Sequence, residues 1–166
     1  MPTQFSANRR VERGDAVVAE ISAAFWDYPG QVLRSFTVDA APTDLYRDLH
    51  AVADAAFDAI ASMLKPGIMP QQVIDAASVI ERAGFTVIDD LLHGYGGGYL
   101  PPVLGTRSRP SANVPAEPFR AGMTVVIQPN VVTPDGKAGV QTGELVLITD
   151  AGIESLHVIP RGFARV

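Results

Sequence analysis

One short stretch, Leu92-His93-Gly94-Tyr95-Gly96-Gly97-Gly98-Tyr99, holds the residue types best suited to chemistry. An imidazole serves as base, acid or metal ligand. The glycines beside it accept backbone angles closed to other residues and let the main chain approach a ligand. A flexible glycine-rich loop with an incidental histidine has the same pattern. Tyr95 and Tyr99 either line a pocket or pack within the loop. Glu20 is the second candidate, a carboxylate in an otherwise apolar run. It either faces solvent on an alternating strand or sits in a cleft as acid or base. His50 reads as a helix-surface residue, and His157 as a structural or exposed residue of the last strand.

Composition bounds what this chemistry can serve. The chain has 166 residues, 47% of them hydrophobic, and a mean hydropathy of +0.16. Those values describe one folded domain with a core of useful size. The net charge is −5 and the isoelectric point about 5.0, with no basic cluster, which argues against a general nucleic-acid binder. Without cysteine there is no disulfide, thiolate metal site or thiol nucleophile. No apolar run reaches the length of a membrane span. Met1 to Val11 is polar, with Arg9 and Arg10, and lacks the apolar stretch of a signal peptide. A cytoplasmic location is the expectation.

The elements that position these residues follow from periodicity and turn chemistry. Residues 1–12 are expected to be a flexible segment ahead of a domain at 13–166. Ala16 to Trp26 reads as a strand, Asp27-Tyr28-Pro29-Gly30 as a turn, and Gln31 to Val38 as the second strand of a hairpin. Leu45, Leu49, Val52, Ala56, Ile60 and Met63 recur at three and four residues, predicting a helix over 43–64 capped by Thr43 or Asp44. Pro70 opens a second helix, ended by Gly84. Residues 100–120, with five prolines, read as an irregular surface loop. Strands are predicted from Gly122 to Gln128, from Val140 to Thr149 and from Gly152 to Ile159. The order predicts an α+β fold, a curved, mainly antiparallel sheet with two helices packed on one face.

Several short motifs recur in a familiar order. Gly14-Asp15-x-Val17 and Tyr28-x-x-x-x-x-Arg34-Ser35-Phe36 come first. Lys65-Pro66-Gly67, His93-Gly94-x-Gly96 and Ala121-Gly122-Met123-x-Val125-x-Ile127-x-Pro129 follow, then Leu147-Ile148-Thr149-x-x-Gly152-x-Glu154-x-Leu156. Together they resemble the creatinase, aminopeptidase P and prolidase superfamily over nearly the whole chain. The resemblance implies the pita-bread fold. Its active members are dinuclear metal peptidases acting on N-terminal or proline-linked peptides, and creatinase is a metal-free hydrolase. It further implies that part of the fold should precede Arg13, so the chain reads as a partial pita-bread domain with an unpaired sheet edge. A homodimer, or a partner segment that completes the sheet, is expected.

The resemblance also implies a ligand set of two Asp, one His and two Glu. His93 matches the histidine. Glu20 stands at the first Asp position, Gln31 at the second, Gln128 at the first Glu and Gly143 at the second, with Glu144 beside it. Adjacent strand residues face opposite sides, so Glu144 should point away unless a bulge re-aims it. Leu100 stands where active peptidases carry a further histidine. Two divalent cations about 3.5–4 Å apart need several anions to offset their repulsion. One carboxylate and one imidazole are too few, and neutral amides are poor ligands for hard cations. The expectation is therefore a peptidase-like domain that has lost its metal site, with no cofactor, serving as a metal-free binding or oligomer-forming protein. His93 and Glu20 are the candidate catalytic residues. Gln31, Gln128, Arg34 and Tyr95 are candidates for lining a pocket for a small polar ligand, with Arg34 pairing either with an acid there or in a structural ion pair. Two alternatives stand beside this. One is a metal-independent C–N hydrolase of a creatine-like or amide substrate, with His93 as general acid–base. The other is an Xaa-Pro aminopeptidase or dipeptidase completed by a partner chain.

Overall fold

The computed structural model describes residues 8–166. Of the segment expected to be flexible, 1–7 lies outside the described residues; within 8–12, Arg9 pairs with Asp15 at 2.6 Å. β1 (Ala16–Phe25) and β2 (Tyr28–Thr37) form an antiparallel hairpin, from Ala16 opposite Thr37 to Phe25 opposite Tyr28. Trp26 and Asp27 make the turn with φ of +50° and +61°. Positive φ at both central residues is the turn form that matches strand twist. The turn thus falls earlier than the Pro29-Gly30 signal suggested, and both residues lie inside β2. Pro29 is tolerated there because β8 (Gly143–Thr149) joins β2 only further along, at Val32 and Leu33.

α1 (Asp44–Met63) is capped by Thr43, whose hydroxyl accepts from Tyr46 N at 3.4 Å. α2 (Pro70–Ala76) and the short α3 (Val79–Arg82) stand where one helix was expected. Gly84 follows with φ of +81°, as a helix-ending glycine should. β3 (Thr86–Val87) pairs with β7 (Val131–Val132) in a small separate sheet. β4 (Leu92–Tyr95) and β5 (Tyr99–Leu104) pair across Gly96-Gly97-Gly98, so the glycine stretch is the tip of a hairpin rather than a free loop. β5 also takes up the start of the segment read as irregular. Its prolines fit because β5 is the outer strand of the sheet, where a missing N–H removes no ladder bond. β6 (Thr124–Ile127), β8, β9 (Gly152–Ser155) and β10 (Phe163–Arg165) complete the described residues. β9 ends before His157, which therefore lies beyond the strand it was assigned to.

The main sheet runs β1-β2-β8-β6-β4-β5, with β9 added to β8 and β10 added parallel to β2. One face carries Leu92, Val125, Ile127, Val146 and Ile148. They pack with Leu49, Ala53, Ala56, Phe57 and Ile60 of α1 and with Val73 and Ile80 of the following helices. Among the described residues the apolar cluster of the opposite face is small, Leu33, Val126 and Leu145 with Tyr95 against them. This is the predicted α+β arrangement of helices on one face. His50 departs from its surface assignment. It is 7% exposed and stacked on Phe163 with ring centroids 5.2 Å apart. β10 brings that phenylalanine onto α1 from the far end of the chain. Among the described residues no helix is long and apolar enough to cross a membrane.

The buried stripe of α1 gives a direct check. Ile60→Ala, at a fully buried position, is expected to lower unfolding free energy by about 2–5 kcal/mol. Leu45→Ala, at a position 42% exposed, should change it by less than about 1 kcal/mol. Urea denaturation midpoints of the two variants would show the difference.

Candidate functional site

Cross-strand neighbours in an antiparallel sheet point to the same face, and residues two apart along a strand do too. Leu33 faces away from the helices. Glu20 pairs with Leu33, Ser22 pairs with Gln31, and Leu33 pairs with Gly143. His93 pairs with Val126, and Val126 with Leu145. Glu20, Gln31, His93, Gln128 and Gly143 therefore gather on the face opposite the helices. Arg34 does not join them. It is one residue out of phase and donates on the other face to Glu144 Oε2 at 2.7 Å, Gly143 O at 2.7 Å and Ile159 O at 2.5 Å. Of the roles considered for Arg34, the structure shows the structural ion pair and not a place in the pocket. Glu144 points away too, and also accepts from Ser155 Oγ at 2.8 Å.

The gathered groups form a short polar chain. Gln31 Nε2 donates to Glu20 Oε1 at 2.8 Å and approaches Gln128 Oε1 at 3.4 Å. Gln31 and Gln128 are buried, while Glu20 is at the exposed rim. His93 is fully buried. Its Nδ1 lies 3.0 Å from the Gly94 carbonyl, which can only accept, so the ring proton sits on Nδ1. Nε2 is then an acceptor, and it has no partner. The Tyr99 ring stacks on His93 at 4.0 Å, and Tyr95 meets its edge at 5.4 Å. Gly143 offers no donor. A Cβ at this position would lie 2.4 Å from the Ile127 carbonyl oxygen and 3.1 Å from Gln128 Cβ. Gly94 is held as closely, 2.3 Å from Pro101 O on the same test. Among the described residues no three His, Cys, Asp or Glu side chains come together in a way that could hold a metal ion. Leu100 is on β5, 43% exposed.

Sequence reasoning missed two acids, Asp89 and Asp90, which precede β4 and line a cavity of about 200 Å³ with Tyr99 and Arg109. An acidic pair leading into an apolar run before a histidine was the available signal. Burial pushes Asp90 up to about 7; the Tyr99 hydroxyl beside it works against the rise, and Asp89 adds to it. Burial raises Tyr99 as well, helped by Asp90. Partial burial and then Asp89 raise Glu20, while the Gln31 amide opposes them. Burial lowers His93, against the pull of the Gly94 carbonyl and of Gln128, and favours the neutral ring. The folded state thus prefers Asp90 protonated. That preference stabilises fully below about pH 4 and is lost as pH rises through about 7. Asp90→Asn is accordingly expected to melt above the parent at pH 8, by the equivalent of roughly 1–4 kcal/mol, and to match it near about pH 3.5. Calorimetric scans at the two pH values check the sign.

Comparison with known proteins fits this geometry. Residues 1–150 match the sequence profile of metallopeptidase family M24. The Xaa-Pro dipeptidase of Pyrococcus furiosus is 26% identical over 158 residues, and that of Pyrococcus horikoshii 25%. Each match takes in 94% of this chain and 43% of the relative, so the chain spans less than half the length of these curated relatives. The solved X-Pro aminopeptidase of Thermotoga maritima superposes with a TM-score of 0.85 at 23% identity, covering all of this chain and 46% of that one. The Pyrococcus horikoshii prolidase gives 0.84 at 23%, covering 98% and 46%. At such identities the likeness is one of fold, the pita-bread fold the motifs implied. With the profile covering residues 1–150 and the strand pair, glycine hairpin and central strands in matching order, the chain belongs to metallopeptidase family M24.

Proposed function

We propose that this chain is a metal-free member of the family, whose cleft around His93 binds a small polar ligand and does not perform dinuclear metal hydrolysis. The carrying observation is the amide chain Glu20–Gln31–Gln128. All three of its members stand where the resemblance places metal-binding carboxylates, and two of them, Gln31 and Gln128, are neutral amides. A pair of divalent cations fits this donor set poorly, because one imidazole, one rim carboxylate and neutral amides cannot offset their repulsion. At the remaining position even a β-carbon on residue 143 would collide with backbone. Glu20, at the exposed rim, is the group of this set most open to a ligand, with Gln31, Gln128 and His93 buried behind it. The open edge of β1, where Ile21 is 57% and Phe25 78% exposed, is the proposed place for a second copy or further segment to add.

A second reading rests on the orphaned His93 Nε2. A neutral imidazole with a free acceptor can serve as general base in metal-independent C–N bond hydrolysis. Turnover of a creatine-like or amide substrate that disappears in His93→Ala would favour it over pure binding.

Elemental analysis separates the metal-free reading from a working peptidase. Protein loaded with manganese, cobalt or zinc and then desalted is expected to keep well under one ion per chain and to leave Xaa-Pro dipeptides uncleaved. Two retained ions with cleavage would overturn the reading and favour a dipeptidase. Gly143→Glu is expected to lower stability by about 1–3 kcal/mol or more without conferring metal retention.

A further inference from the structure

Among the described residues β1 is the outer strand of the main sheet, at the end opposite β5. It is ten residues long, and every residue from Glu20 to Phe25 is exposed. Such an edge presents a row of N–H and C=O groups ready to pair with another strand, and natural edges are guarded against this by lysine, proline or a bulge. β1 has none of these. Glu20 is its one charged residue, and its pairing with β2 is unbroken from Ala16 to Phe25. Ile21, Ala23 and Phe25 share one face of the strand. Ala23 pairs with Gly30, and a Cβ on Gly30 would lie 3.6 Å from the His157 ring, so the segment after β9 crosses that same face. Its Val158 is 98% exposed, with Ile159 exposed beside it. At the turn Trp26, 88% exposed, meets Phe25 edge to face with ring centroids 6.3 Å apart.

We propose that this edge pairs antiparallel with the β1 edge of a second copy of the chain, about a two-fold axis at Ser22. Facing residues lie on one side of the continued sheet, so odd positions meet odd and even meet even. With Ser22 opposite its own copy, Ile21 meets the partner's Ala23, Glu20 the partner's Ala24 and Ala19 the partner's Phe25. Large side chains then face small ones along the whole exposed run. The charges allow this register. The two Glu20 carboxylates stand four positions apart along the paired strands, about 13 Å, which exceeds the ~8 Å screening length of physiological salt. Centring the axis on Ile21 would bring them to about 7 Å. The exposed area is sufficient too. Phe25 and Trp26 alone offer roughly 250–400 Å², taking about 150–250 Å² for a whole aromatic side chain. Ile21, Val158 and Ile159 extend that toward the ~800 Å² per partner of a stable interface. A two-fold homodimer is also the commonest closed assembly. Because β1 carries Glu20, the pairing continues the face of the cleft across the axis and sets the partner's Ala24 against its rim. The proposal rests on the open edge named in the functional reading, and not on the absence of metal from the cleft.

Sedimentation equilibrium of the whole chain tests it, with metal content measured on the same sample. By about 100 µM the chain is expected to run at twice its 17.6 kDa mass. Ser22→Glu sets like charges directly opposite each other and should weaken the dimer roughly tenfold or more. Ser22→Cys is nearly isosteric, and the chain has no cysteine of its own. Oxidation should join two copies through it, because facing strand residues lie about 4.5–5.5 Å apart, within reach of a disulfide. Ser62→Cys, on the exposed surface of α1, should not cross-link. A chain still monomeric at about 200 µM overturns the proposal and leaves the edge to a further segment. A dimer that Ser22→Glu leaves intact, or that Ser22→Cys joins no faster than Ser62→Cys, overturns it as well. Ions retained by the dimer would overturn the metal-free reading and leave the pairing standing; a metal-free monomer does the reverse.

Discussion

Leu92, Val125, Ile127, Val146 and Ile148 are buried with the α1 stripe, and strand geometry obliges their sequence neighbours to face the other way. His93, Val126 and Leu145 are those neighbours, and Leu33 on β2 shares their face. The apolar packing on one face therefore sets the register, and the register chooses the polar groups that meet on the other. A slip of one residue in β8 would bring Glu144 into the cleft and expose the residues that hold α1. Arg34 opposes such a slip. It binds Glu144 and the Gly143 carbonyl on the helix side, and it ties both to Ile159 and Pro160.

Within the cleft the polar groups are unequally satisfied. Gln31 bonds Glu20 well and Gln128 weakly, so the buried amides are partly paired. His93 Nε2 and Asp90 Oδ2 are not paired, nor is either side-chain polar atom of the fully buried Asn130. Each buried group left unmet costs about 1–3 kcal/mol. Those three residues stand within or next to β4 and β6, the strands that frame the cleft.

Much of this was legible in local sequence because local physics decides it. Thr43 caps α1, Gly84 closes the second helical region, and apolar periodicity named Leu49, Ala56 and Ile60 as core. What was not legible depended on distant partners. His50 reads as a surface residue until Phe163 arrives from β10 to cover it. The first hairpin turn was misplaced because Pro29 and Gly30 are the stronger turn formers. Strand pairing instead puts Trp26 and Asp27 at the corner, although positive φ is unfavourable for a side chain as bulky as tryptophan. Arg34 was grouped with the pocket by its nearness in sequence to Gln31, although three steps along a strand is the wrong parity. Asp89 and Asp90 were passed over because nothing in their own stretch marks Asp90 as buried; the burial comes with the fold, in which Tyr99 and Val103 of β5 line the same cavity.

On the metal-free reading proposed above, amides in place of carboxylates have an electrostatic consequence as well as a coordinative one. Acids that share a cleft with divalent cations are neutralised by them. Without cations, every remaining carboxylate repels the next in a setting that screens poorly. Gln31 and Gln128 keep a hydrogen-bonding shape near that of Asp or Glu and remove their charge, so a buried cluster can persist without ions. Glu20, Asp89 and Asp90 remain carboxyl groups, and the strain shows in Glu20, Asp90 and Tyr99, whose charged forms are all disfavoured by burial, with Asp89 adding to each. The neutral His93 beside them relieves none of it. The cleft is therefore only half discharged, with the amides of β2 and of the segment after β6 flanking the start of β8, and acids on the side where β5 folds over Asp90. That division gives the domain a polarity across the face opposite its helices that follows from its own side chains.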